Sequence, residues 1–177
     1  PDHPRIRATL DYLLEHCSFE NGFFQDMVHS GINIYLTLDL AQTLLRYGDP
    51  RLHDLVDAVI RLASPTGNWP EAVHPATHGG CMGDGQHGWA AAEWVMLVRN
   101  LFLREDRIRG RPGLVLAGGL PAHWLAPGNV LSFGPAPTPW GPVTVVVTCE
   151  LDRVAVQARG GWRREAPLME ARLPGFE

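Results

Sequence analysis

Apolar positions recur at helical spacing through roughly the first hundred residues and at strand spacing after that. Over residues 4–17, Ile6, Leu10, Leu13, Leu14 and Cys17 fall on one face, which predicts an amphipathic helix. Asp2 is its candidate N-cap, and Pro4 suits a first turn. A second helix is predicted over 31–47, capped by Ser30 and stopped by Gly48. Ile34, Leu38, Ala41, Leu44 and Leu45 line one side of it. Ile32, Tyr35, Leu36 and Leu40 carry the apolar surface around the axis, so this helix is expected to be buried on most sides. Asp49-Pro50 opens a third helix over 51–63, with Leu52, Leu55, Val56, Val59, Ile60 and Leu62 inward. A fourth runs over 84–104 from Asp84 as cap. Trp89, Trp94, Val95, Leu97, Val98, Leu101 and Phe102 make it the second helix expected to be buried nearly all round.

Peripheral and buried helices therefore alternate, and each buried one follows a long decorated loop. Antiparallel packing puts both loops, and the positive dipole ends of both buried helices, at one end, which suits a polar or anionic ligand. After Gly110 the pattern changes to short β-branched runs between prolines. Strands are predicted over 114–117, 130–133, 143–151 and 153–158, with a further candidate over 167–172. The expected organisation is a mainly α fold of antiparallel helical hairpins over 1–110, then a small antiparallel β appendage over 111–177.

Composition narrows the class. Across 177 residues the net charge is −4, and every basic side chain is arginine. That is not the footprint of a nucleic-acid binder, and no apolar run is long enough to span a bilayer. Cys17, Cys81 and Cys149 are scattered and odd in number, which points to reduced thiols and a cytoplasmic protein. The chain opens Pro-Asp-His-Pro without methionine, as a processed chain or a fragment would.

The chemistry concentrates in residues 67–89, which take in most of a loop over 64–83 long enough to suggest function and the start of the fourth helix. Trp69 and Trp89 are either sugar-stacking platforms or core residues. Glu71, two residues past Trp69, is either a general base toward water or a structural carboxylate. Asp84 reads first as a helix cap. Glu20 and Asp26, on the other loop, are candidate partners for sugar hydroxyls or simply solvated. His74, Gln86 and His87 offer further donors and acceptors. His74, His78, Cys81 and His87 match no zinc spacing, so neither a metal nor a cofactor is expected.

Trp69-Pro70-Glu71-Ala72, followed by the run from Gly80-Cys81-Met82-Gly83-Asp84-Gly85-Gln86-His87-Gly88-Trp89 to Trp94, resembles the last hairpins of six-hairpin glycosidases of the amylo-α-1,6-glucosidase and glucosidase-like group. The resemblance implies the C-terminal part of an (α/α)6 toroid and inverting hydrolysis of an α-glucoside-like oligosaccharide. Such chemistry uses an acid and a base roughly 6.5–9.5 Å apart. Glu71 is the base by position, with the acid in an earlier hairpin. Trp69, His74, Gln86, His87, Trp89, Asp84, Glu20 and Asp26 would shape the sugar site. The partners implied are the oligosaccharide and either the N-terminal part of the same enzyme or a second copy. Two other readings stay open: a phosphorylase of the same fold, disfavoured because no arginine lies between Arg61 and Arg99, and a non-catalytic sugar-binding or structural module.

Overall fold

Pro4 and Gly48 punctuate the helices where the pattern predicts breaks, and Asn33 does so where it does not. A computed structural model describes residues 3–27, 30–83 and 85–174. Helix α1, Pro4–His16, starts at its proline and is capped by His3, whose Nδ1 accepts from the Arg5 N–H at 3.2 Å. The expected cap Asp2 lies outside the described residues. Helix α2, Ile34–Tyr47, is capped by Asn33, whose side-chain oxygen accepts from Leu36 N–H at 3.0 Å. It ends at Gly48, left-handed at φ 65°, a conformation glycine adopts without Cβ strain. Helix α3, Leu52–Arg61, and helix α4, Gly88–Phe102, complete the set. The expected cap of α4, Asp84, is not among the described residues.

The architecture is mixed α/β, and the expectation of a mainly α chain of toroid hairpins is overturned. Among the described residues there are four α-helices and eleven strands in three sheets. An (α/α)6 barrel needs helix pairs joined by loops that close a ring. Here the loops are themselves sheet. Strands β1 (Ser18–Phe19), β2 (Gly22–Gln25), β3 (Gly31–Asn33), β4 (Ala72–Val73) and β5 (Gly80–Met82) pair in that order, each antiparallel to the next. Residues 31–33, predicted as the first turn of α2, are strand β3, so the helix begins three residues later and Ser30 does not cap it.

The chain divides into two compact units, residues 1–97 and 98–177, the division falling within α4. The core of the first unit is Ile32, Ile34, Leu38, Leu44, Leu45, Leu55, Val59 and Val73, all nearly inaccessible. Helix α2 lies at its centre, as its apolar girdle predicts. Thr37 ties it to the sheet: its hydroxyl donates to Asn33 O at 2.6 Å and accepts from Phe23 N–H at 2.9 Å. An ion-pair knot braces α1 against the α2–α3 turn. Asp49 accepts from Arg7 and Arg51 at 2.7 Å each, and Arg51 also reaches Asp11 at 2.8 Å. Two expectations of burial fail. Ile60 points outward at 52% exposure, and the first half of α4 is open, with Trp89 65%, Val95 63% and Met96 46% exposed.

The second unit is built from two three-stranded sheets. Strands β6 (Leu103–Ile108), β7 (Arg111–Leu116) and β11 (Leu168–Ala171) form one, in the order β11-β7-β6. Strands β8 (Val130–Ala136), β9 (Val143–Cys149) and β10 (Val154–Gly160) form the other. The appendage is not wholly antiparallel, since β11 runs parallel to β7. Strand β6 occupies residues expected to end α4 and begin a loop. It forms because Leu103-Arg104-Glu105-Asp106-Arg107-Ile108 pairs along its whole length with β7. Strand β9 alternates as a half-buried strand should, with Val143, Val145, Val147 and Cys149 inward. No helix among the described residues is long and apolar enough to cross a membrane.

Candidate functional site

The five-stranded sheet positions the chemistry of the first unit. Pairing of Asn33 with Ala72 and of Ile32 with Val73 brings β3, which leads into α2, beside β4. The residue before β4 is Glu71, and its carbonyl accepts from Ile34 N–H at 3.2 Å, which fixes it over the start of α2. On its other side Gly83 comes so close that a Cβ there would lie 3.0 Å from Glu71 N. Its φ of 77° also suits glycine alone. Trp69 anchors the approach. Its indole N–H donates to Val59 O at 2.8 Å, its carbonyl accepts from His87 N–H at 2.8 Å, and its ring packs 5.6 Å from Trp94.

This arrangement sets Glu71 beside His87 at the mouth of α4. The two side chains are 26% and 17% exposed, and Glu71 Oε2 lies 3.8 Å from His87 Nε2. That is longer than a direct hydrogen bond and short enough for a bridging water or hydroxyl. His87 Nδ1 is buried and has no hydrogen-bond partner. A proton on Nδ1 would be buried unbonded, so the favoured tautomer carries its proton on Nε2, facing Glu71. Tyr35, in the first turn of α2, and Trp89, in the first turn of α4, complete the group. The Tyr35 ring lies 5.5 Å from both His87 and Trp89, and His87 lies 5.6 Å from Trp89. The result is an indole open to solvent beside a half-buried carboxylate.

One helical turn further along the same faces, Tyr35 is succeeded by Asp39 and Trp89 by Glu93. Partial burial raises the Asp39 carboxyl above its ordinary value. Glu93 is raised by burial first and by the nearby charge of Asp39 second, against a hydrogen bond from Gln42 that lowers it. Tyr35, Asp39 and Glu93 were not among the candidate site residues read from sequence. The available signal was their spacing: each sits at i+1 or i+5 from the start of a helix that follows a functional loop.

The remaining candidates are dispersed. Trp69 is 5% exposed and serves the core, so it offers no open face for stacking. His74 is exposed and closes its own loop, its Nδ1 accepting from Ala76 N–H at 3.2 Å and Thr77 N–H at 3.3 Å. Gln86 is exposed next to His87. Glu20 lies on the β1–β2 turn with φ 50°, and its carbonyl accepts from Arg61 at 3.2 Å. Asp26 follows β2 and accepts from the Ser30 hydroxyl at 3.3 Å. Asp84 lies outside the described residues. Among those residues, no group of three or more His, Cys, Asp or Glu side chains is placed to hold a metal ion.

Comparison with protein-family models, with curated proteins and with solved structures finds no match to this chain.

Proposed function

We propose that the chain is carbohydrate-active and that the Glu71 site takes a neutral oligosaccharide for inverting hydrolysis, with Glu71 as the base toward water. The observation that carries this reading is the half-buried Glu71 carboxylate beside His87 at the edge of the exposed Trp89 indole. The apolar face of a pyranose would lie on Trp89. The Nε2–H of His87 would hold a water between itself and Glu71 Oε2, in register with the anomeric carbon. The mechanism also needs a protonated acid at the leaving oxygen. Glu93 is the candidate, one turn along α4 from Trp89, with its carboxyl raised by burial and by the charge of Asp39.

Turnover of a maltooligosaccharide tests both roles. Glu71→Gln should cut it by roughly 10²–10⁴-fold with the thermal midpoint unchanged. Glu93→Gln should cut it similarly, and much less on a glycoside whose leaving group departs without protonation. Near-normal turnover in Glu71→Gln would remove Glu71 from the mechanism. The phosphorylase alternative is weaker, because residues 62–98 hold no arginine to meet phosphate.

A further inference from the structure

The second unit carries an open cavity of about 460 Å³ lined by His123, Trp124, Asn129, Val130 and Leu131. Its floor is well braced. Pro121 opens a 3₁₀ turn over Ala122–Leu125, and Trp124 N–H donates to Pro121 O at 3.0 Å. Phe102, itself stacked on Phe133 at 5.3 Å, supports the Trp124 ring from 6.3 Å away. Residues 128 and 129 are stitched to β9: Gly128 N–H donates to Cys149 O at 2.8 Å, and Cys149 N–H donates to Asn129 O at 2.9 Å. The Asn129 side-chain nitrogen donates to Trp124 O at 3.0 Å, which turns that amide into a fixed part of the wall. The His123 ring stands edge-on to Trp124 at 87°.

The lining says what would fit. It offers one large aromatic surface, an amide, an imidazole and two aliphatic side chains, of which Val130 is 65% exposed. Among the described residues, no arginine, aspartate or glutamate lines it. A phosphate, nucleotide or carboxylate ligand would find no opposite charge there. A neutral polyol with an apolar face would find a platform and two hydrogen-bonding groups. Glucose-type pyranoses, whose ring hydroxyls are equatorial, expose C–H groups on both faces and so can lie on a single indole from either side. The volume also falls within the range of small-ligand sites, roughly 300–1,000 Å³.

We propose that the His123–Trp124–Asn129–Val130 cavity is a saccharide-binding site for a neutral gluco-configured oligosaccharide, separate from the Glu71 site and without catalytic groups of its own. Its rigid platform binds by pre-organisation, since the ring and the amide are already held. The proposal does not rest on hydrolysis at Glu71.

Titration of the whole chain with maltotriose and with cellotriose, followed by indole N–H resonances, tests it. Trp124→Phe assigns the Trp124 signal, and Val130→Arg blocks the cavity from an exposed position that leaves the core intact. The Trp124 signal should shift saturably with at least one sugar, and Val130→Arg should weaken that response at least tenfold while the Trp89 response is unchanged. A Trp124 signal that stays still with both sugars up to their solubility limit overturns the proposal. So does a response undiminished in Val130→Arg. Broadening of Trp124 with protein concentration alone, without sugar, would mark a second copy as the occupant and also overturn it.

Discussion

Helices α2 and α4 carry the same apolar pattern and meet different fates. Helix α2 buries Ile34, Thr37, Leu38, Ala41, Leu44 and Leu45 under the short strands and α3. Over the first two turns of α4, Ala90 is covered while Trp89, Ala91, Ala92, Val95 and Met96 stay exposed. Periodicity reports how much of a helix surface is apolar. It does not report what arrives to cover it. For α2 the cover is local, because β2, β3 and α3 are its neighbours in the chain. The exposed half of α4 has instead an indole, an imidazole and a carboxylate grouped around it, and that grouping is the reason to read it as a working surface.

The largest effect that would break this contrast is in α2. Leu38 is wholly buried, and Leu38→Ala should cost about 2–5 kcal/mol by leaving a cavity; urea unfolding measures it. A loss below about 1 kcal/mol would mean that α2 is not the centre of the core.

Next comes the ion-pair knot beneath α2. Hydrogen bonds from Arg51 first and from Arg7 next, together with the Arg51 charge, hold the Asp49 carboxyl down to about 2 from 3.8 against the opposing effect of burial. A carboxyl whose folded value is depressed stabilises the fold fully above its unfolded value and loses that contribution as pH falls through the folded one. The Asp49 contribution should therefore be complete above the ordinary carboxylate range and disappear between about 3.8 and 2. Thermal midpoints of the parent and of Asp49→Asn, measured across that window, should converge as pH drops. A constant difference would contradict the linkage.

The smallest effect is expected on α4. Val95→Ser removes an exposed methyl pair and should change stability by no more than about 0.5 kcal/mol. A larger, concentration-dependent loss would show that this face is covered by another molecule in solution.

Much of the helical order was legible in the residues. Gly48 stops α2 as a left-handed glycine, Pro4 starts α1, and Val143 to Cys149 alternate as a strand. The five-stranded sheet was not, because strands of two to four residues are too short to show a period of two. Ala72-Val73 is a strand because Ile32 and Asn33 lie opposite it on one side and Gly80 and Met82 on the other. Pairing with β7 likewise turned residues 103–108, read as a helix end and the start of a loop, into β6. The reading of helices joined by loops agreed with the resemblance to a toroid, whereas the loops of the first unit are in fact short paired strands.

The candidate site was partly legible. The loop around Glu71 and the segment before α4 do meet, and His87 and Trp89 stand with Glu71. The two tryptophans could not be told apart by composition. Trp69 has its N–H satisfied by the Val59 carbonyl inside the core, and Trp89 has its ring in water. Tyr35 read as one more apolar residue of α2, because only the fold shows that its ring reaches His87.

That separation of Trp69 from Trp89 gives the most direct test of the central claim. Indole N–H resonances, assigned by single Trp→Phe replacements, would be followed while maltotriose is added to the Glu71→Gln variant, which keeps the sugar uncleaved. The Trp89 signal should move and saturate while the Trp69 signal stays in place. A stationary Trp89 signal, or equal movement of the two, would contradict a saccharide site at Glu71.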